Sequence, residues 1–412
     1  MYPARPARRP LKLPVRWPEF ATADFRRLWL VGLIFFTVRW LEMLAMAVFV
    51  YRKTDSAFIV AMLAMLRLLP MAIFGAFMGA LADRLERRTA LFLVVGSMFA
   101  TSSTLAVLAY LDALQVWHLV VATFLNGTAW ASDNPVRRLL IGEVVGVAQV
   151  GRAMSVDIGT NNASRMIGPT LGGILLASVG IEGVFTLSMA LYAAAALAVL
   201  FIRHRSAPAS AAHAPLVAHM AEGFAVVRRD RRILAVLVVT IVFNVFGWPF
   251  TSMVPVIGQD ALRLDPEGIG ILASMDGLGA FLGATMIAVL ARPASYARLY
   301  IAGSALYLAL LPLFALLDRP ALAGLALLFT GITGAAFMTM QSTLIYVLAP
   351  PEMRSRVFGV LSVCIGIGPL GFVHIGLLAD WWGAQAATAA IGIEGLVVLA
   401  LTAPLWRILL RP

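Results

Sequence analysis

Runs of apolar residues recur along the chain from Leu28 to Arg407, each close to the length of about 20 residues that a helix needs to cross a hydrocarbon layer about 30 Å thick. A segment in lipid must satisfy its backbone groups internally, which selects the α-helix. The expected fold is therefore all-α and membrane-embedded, with spans at 28–50, 56–80, 89–111, 117–138, 153–178, 184–202, 233–256, 268–290, 299–317, 321–347, 357–379 and 385–406. Only 13% of the residues are charged and 61% are hydrophobic, whereas water-soluble domains have about 25% charged residues.

Charge placement orients this array. Residues 1–27 carry Arg5, Arg8, Arg9, Lys12, Arg16, Arg26 and Arg27 but no apolar core or cleavage site, so the first span reads as an uncleaved anchor. Arginines cluster again at Arg84, Arg87 and Arg88, at Arg137, Arg138 and Arg152, through 203–232, and at Arg292, Arg298, Arg354, Arg356, Arg407 and Arg411. The alternate loops hold only Arg52, Lys53, Arg263 and Arg319. This bias predicts an inner-membrane protein with both termini cytoplasmic. It also accounts for the net charge of +11 without a nucleic-acid partner. The lone Cys364 excludes an internal disulfide or a thiolate metal site.

The chain divides as a basic segment 1–27, a six-helix bundle 28–202, a linker 203–232 able to form an amphipathic surface helix, a second bundle 233–406 and a tail 407–412. The halves echo each other: Gly75 and Gly79 recur as Gly279 and Gly283, Arg152 as Arg356, and Gly172 as Gly376, at one shared offset. Both halves start on the same side, so they read as parallel repeats.

The stretch GAFMGALADRLERR, with Gly75, Gly79, Asp83, Arg84, Arg87 and Arg88, resembles the loop between the second and third helices of the major facilitator superfamily. That resemblance implies a cytoplasmic latch against the eleventh span. Gly168, Pro169, Gly172 and Gly173, within GPTLGG, are similar to the core of the antiporter motif of drug:proton exporters. Together with FRRLW, NPVRRLL and RSRVFGV, these stretches resemble the enterobactin-exporter-like branch over nearly the whole length. The resemblance implies a major facilitator fold of twelve helices in two six-helix bundles. The small residue and Asp usual in that branch's first span are replaced by Val38 and Arg39.

Charges at mid-membrane depth are costly and mark function. They are Arg39, Glu42, Arg67, Arg165, Asp276 and Glu394. Arg39 and Glu42, three residues apart, share a helix face and are expected either to pair or to place a proton carrier at Glu42 beside a tuning arginine. Arg165 and Asp276 fall at matching depths in spans five and eight and are expected to form an ion pair. Asn134 and Asn244 are candidate cavity residues, as are Asn126, Asn161, Asn162, Trp248 and Gln341; His374 reads as a helix-packing residue. Asp133 and Asp157, beside Arg137, Arg138 and Arg152, read as gate ion pairs.

No Walker loop, HExxH or nucleophile elbow is present, which leaves an ATP-driven pump or a hydrolase without its chemistry. The expected protein is a monomeric secondary transporter with no cofactor or metal, acting in the bilayer on a small-molecule substrate, and most simply an exporter driven by protons. An importer or lipid flippase on the same scaffold, or a non-transporting membrane sensor or assembly partner, are the alternatives.

Overall fold

The computed structural model describes residues 22–84, 86–146, 149–206 and 216–410, with side chains described outside 74–84, 134–135, 216–221, 223 and 355. A first set of long helices comprises α1 (Ala23–Thr54), α2 (Ala57–Arg84), α3 (Arg87–Tyr110), α4 (Val116–Val145), α5 (Val150–Ser178) and α6 (Ile181–Leu200). A short α7 (Leu216–Arg229) follows. The second set runs α8 (Arg231–Val242), α9 (Val254–Asp260), α10 (Pro266–Leu290), α11 (Tyr296–Leu316), α12 (Pro320–Leu348), α13 (Arg354–Ile365), α14 (Gly368–Trp382), α15 (Ala384–Leu401) and α16 (Ala403–Trp406). Among the described residues, nine segments are apolar and long enough to cross a membrane. The equally long α2, α4 and α5 carry Arg67, the Asp133–Arg138 stretch and the Asp157–Arg165 stretch, respectively.

Two spans are discontinuous. Between α8 and α9 the chain passes through a π-helical turn, Phe243–Gly247, and a 3-10 turn, Trp248–Ser252. Pro249 contributes no backbone donor there. The second break separates α13 from α14, with Pro369 in the first turn of α14. Irregular backbone at membrane depth persists where it lines a cavity, and both breaks do so here. The expected spans 233–256 and 357–379 are both broken helices.

The two sets meet along α5 with α10, α2 with α14 and α1 with α9. The contacts between them favour the end away from the arginine clusters. There the Tyr51 hydroxyl donates to Asp260, Arg52 donates to Gln259 at 3.3 Å, and Gly376 of α14 lies flush against Phe58 and Ala61 of α2. Toward the arginine-rich end, α13 packs on α7, α8 and α12, and Arg356 pairs with Glu222 of α7 at 2.8 Å.

The α5–α10 seam brings backbone against backbone. A Cβ on Gly173 would lie 2.3 Å from the Pro266 carbonyl oxygen, one on Gly270 2.6 Å from that of Pro169, and one on Gly277 2.5 Å from that of Arg165. Small residues allow this approach, and packing at such short range drives helix association where lipid offers no hydrophobic gain. Thr170 and Ser274 exchange a hydrogen bond of 2.7 Å across the same seam.

Candidate functional site: a cavity between the two helix sets

A cavity of about 250 Å³ lies where the sets face each other at mid-depth. Helix α1 contributes Arg39 and Trp40, α2 Arg67, α4 Trp130, α5 Arg165 and α10 Asp276. The break between α8 and α9 contributes Asn244 and Trp248, and α12 contributes Gln341. The wall is thus mainly apolar and aromatic with a few convergent polar groups, the usual make-up of a small-molecule site.

Arg165 and Asp276 form a buried ion pair across the seam. Each is about a tenth exposed, and the Asp276 Oδ1 atom has no hydrogen-bond partner among the described residues. The Arg165 guanidinium also lies 5.5 Å from the Trp40 ring centre and 5.2 Å from that of Trp248, so aromatic faces from both sets embrace the bridge. The pair sits at the cavity end of the glycine seam, and separating the sets on that side would have to break it.

Arg39 and Glu42 do not pair. The Arg39 guanidinium stacks 3.7 Å from the centre of the Trp130 ring, and Arg67 donates to the Arg39 carbonyl at 3.1 Å. Glu42 is buried in a smaller chamber beside the cavity. There its carboxylate accepts from Ser102 at 3.0 Å and from Asn126 at 3.2 Å. Partners on α3 and α4 displace the neighbour that helical spacing alone offered.

Glu394 lies outside the cavity, which corrects its expected placement. It bonds His374 at 2.6 Å, joining α15 to α14 with both side chains well exposed on the bundle flank. Asp133 and Asp157 likewise do not span the sets. The fully buried Arg137 joins Asp133 on its own helix to Asp157 on α5, which also receives Arg138 at 3.3 Å. Gly32 of α1 makes room for that guanidinium. The network knits α1, α4 and α5 into one unit.

Arg87 pairs with Glu143, and Arg88 donates to the carbonyls of Val199 and Leu200 at 3.3 and 2.7 Å. All three contacts stay within the first set, at the ends of α4 and α6, instead of reaching α13. The surroundings of Gly75 and Gly79 and the side chains of Asp83, Arg84 and Asn134 lie outside the described residues. Of the GPTLGG glycines, Gly168 abuts Trp40, Gly172 abuts the Leu41 backbone, and Gly173 abuts α10. Pro169 lines the cavity. Sequence reasoning passed over Trp40 and Trp130. For Trp130 a signal existed, because Asn126, Trp130 and Asp133 recur at helical spacing on one face of α4.

A family model described as transmembrane secretion effector matches residues 15–410. Macrolide efflux protein A of Streptococcus pyogenes is 23% identical over 351 residues, covering 82% of this chain and 85% of that protein. The multidrug efflux pump Tap of Mycolicibacterium fortuitum is 26% identical, with 85% and 87% covered. The staphyloferrin A transporter of Staphylococcus aureus is 20% identical, with 89% and 92% covered. Among solved structures, a bacterial homologue of the human lysosomal transporter Spinster, inward-facing and unoccupied, superposes with a TM-score of 0.72 at 15% identity, covering 95% of this chain and 97% of that one. The nucleoside transporter NupG gives 0.73 at 12% identity, with 93% and 99% covered. The fold is that of the major facilitator transporters.

Proposed function

Because this chain belongs to the transmembrane secretion effector family, a group of major facilitator transporters and not enzymes, we propose that it is a proton-coupled exporter of drug- or siderophore-like small molecules. Relatives named for macrolide efflux and multidrug efflux support export as the direction, and the staphyloferrin A transporter supports a siderophore-like substrate. The observation that carries the reading is the mid-depth cavity between two helix sets, bounded at one end by the glycine seam and bridged by Arg165 and Asp276. Rocking of the sets, with the bridge made in one state and broken in the other, exposes the cavity alternately to the two sides.

In this reading the arginine-rich end faces the cytoplasm, the halves 28–202 and 233–406 are the rocking units, and a monomer suffices. Glu42 carries the proton: it is a buried carboxylate within one helical turn of the cavity wall, held by neutral donors on two helices. Purified protein in proteoliposomes with an acidic lumen is expected to accumulate ethidium inside, and a protonophore should abolish the accumulation. Glu42→Gln should lose this gradient-driven accumulation and should exchange ethidium only at concentrations high enough to fill a weakened site. Wild-type accumulation by the Gln variant would remove Glu42 from the coupling. Accumulation indifferent to the gradient would remove proton coupling altogether.

A further inference from the structure

The cavity and the chamber behind it share a wall formed by Arg39, Arg67 and Trp130, while Glu42 belongs to the chamber alone. On that wall the Arg39 guanidinium covers the Trp130 ring at 3.7 Å, and among the described residues its Nε atom has no hydrogen-bond partner. Glu42 lies one helical turn further along α1, and residues so spaced have Cβ atoms about 5–6 Å apart. The long Arg39 side chain therefore has two stations within reach, the Trp130 face and the Glu42 carboxylate.

Arg67 is the other cation that faces Glu42, and of the two only Arg39 has its guanidinium on the Trp130 face. From α2, Arg67 is engaged on the Arg39 carbonyl. From α4, Asp133 is engaged by Arg137. From α5, Arg165 is engaged by Asp276. Tyr192 of α6 completes the chamber, and α3 contributes Ser102, already donating to Glu42.

Building on the proton-coupled reading above, we infer that Arg39 is a tethered competitor of the substrate, and that the Trp130 face is a binding site for planar aromatic cations. When Glu42 holds a proton, nothing draws Arg39 from the ring, and the site is covered. When Glu42 is ionised, Arg39 turns to the carboxylate and uncovers Trp130. A guanidinium is itself planar, delocalised and cationic, so the group that replaces it on an indole face shares those properties. Proton and substrate then exclude one another without sharing a carboxylate, as antiport requires. Arg39 acts here as a positioning residue.

The test is equilibrium binding of ethidium to the purified full-length protein in lipid nanodiscs, with no gradient present, so that failed competition and failed proton-driven flux are separate results. Wild-type binding should weaken by at least about tenfold from about pH 8 to about pH 6, since a competing proton can change an apparent Kd by up to about tenfold per pH unit. Arg39→Gln should bind with one tight affinity at both pH values, and Arg39→Lys should restore the pH dependence. Glu42→Gln should bind weakly at both, and Trp130→Leu should bind weakly at the higher pH. Retention of the wild-type pH dependence by Arg39→Gln would overturn the proposal. So would tight binding by Glu42→Gln, or no ethidium binding by the wild type at either pH.

Discussion

Asp276→Asn and Arg165→Gln should each remove nearly all transport and lower the melting temperature of the purified protein. The two side chains meet across the α5–α10 seam at about a tenth exposure. Removing one partner strands the other's charge in a poorly solvated place, which for buried pairs costs about 3–5 kcal/mol. Each side chain keeps about a tenth of its surface exposed, so the lower part of that range applies. The neutral double variant Arg165→Gln with Asp276→Asn leaves no stranded charge and should regain most of the lost melting temperature while staying inactive. The swap Arg165→Asp with Asp276→Arg should regain part of both. If transport by the single variants matched the wild type, the bridge would be an incidental contact, and the cycle would turn elsewhere.

Gly277→Leu is expected to reduce transport at least as strongly by a different route. A Cβ at position 277 would stand 2.5 Å from the Arg165 carbonyl oxygen, and one at 173 would stand 2.3 Å from that of Pro266. Both obstacles are backbone, so no rotamer change relieves them, and the helices must part. Because α5 and α10 belong to different sets, each set can still fold around its own core, and the variant should be produced in the membrane with its seam held open. A cysteine at Thr170, whose hydroxyl meets Ser274 inside the seam, should then react with an impermeant thiol reagent in the Gly277→Leu background and be protected in the otherwise unchanged protein. Equal protection in both backgrounds would mean that the seam does not open.

What could be read from the sequence depended on whether the partner was local. The spans were legible because lipid demands long apolar runs, and the level of Arg165 and Asp276 followed from counting along two of them at about 1.5 Å per residue. Glu42 was visible as a buried charge, but its neighbours were not. Helical spacing proposed Arg39, whereas Ser102 on α3 and Asn126 on α4 hold the carboxylate, and Trp130 holds the arginine. Choices among partners on different helices are made by packing, which leaves no periodic trace. Glu394 shows the same limit: its depth was right for a cavity residue, but the rotation of α15 turns it toward His374 on the flank. Pro249 was visible in the chain; that it would follow a π-turn and present Asn244 and Trp248 to the cavity depends on the helices around it.

In this mechanism the two helix sets open alternately at the two ends of the bundle. Pulsed EPR tests it most directly, with spin labels at Asp112 and Arg319, in loops remote from the arginine clusters, and in a second sample at Arg152 and Arg298 on the arginine-rich end. Each pair should give two distances, shifting in opposite senses when pH is changed or ethidium is added: wherever the first pair moves apart, the second draws together. Asp276→Asn, which unbolts the seam, should enrich the population in which the Asp112–Arg319 distance is long. A single unchanging distance between those two labels under every condition, Asp276→Asn included, would mean that the seam is a fixed joint and would contradict alternating access in this protein.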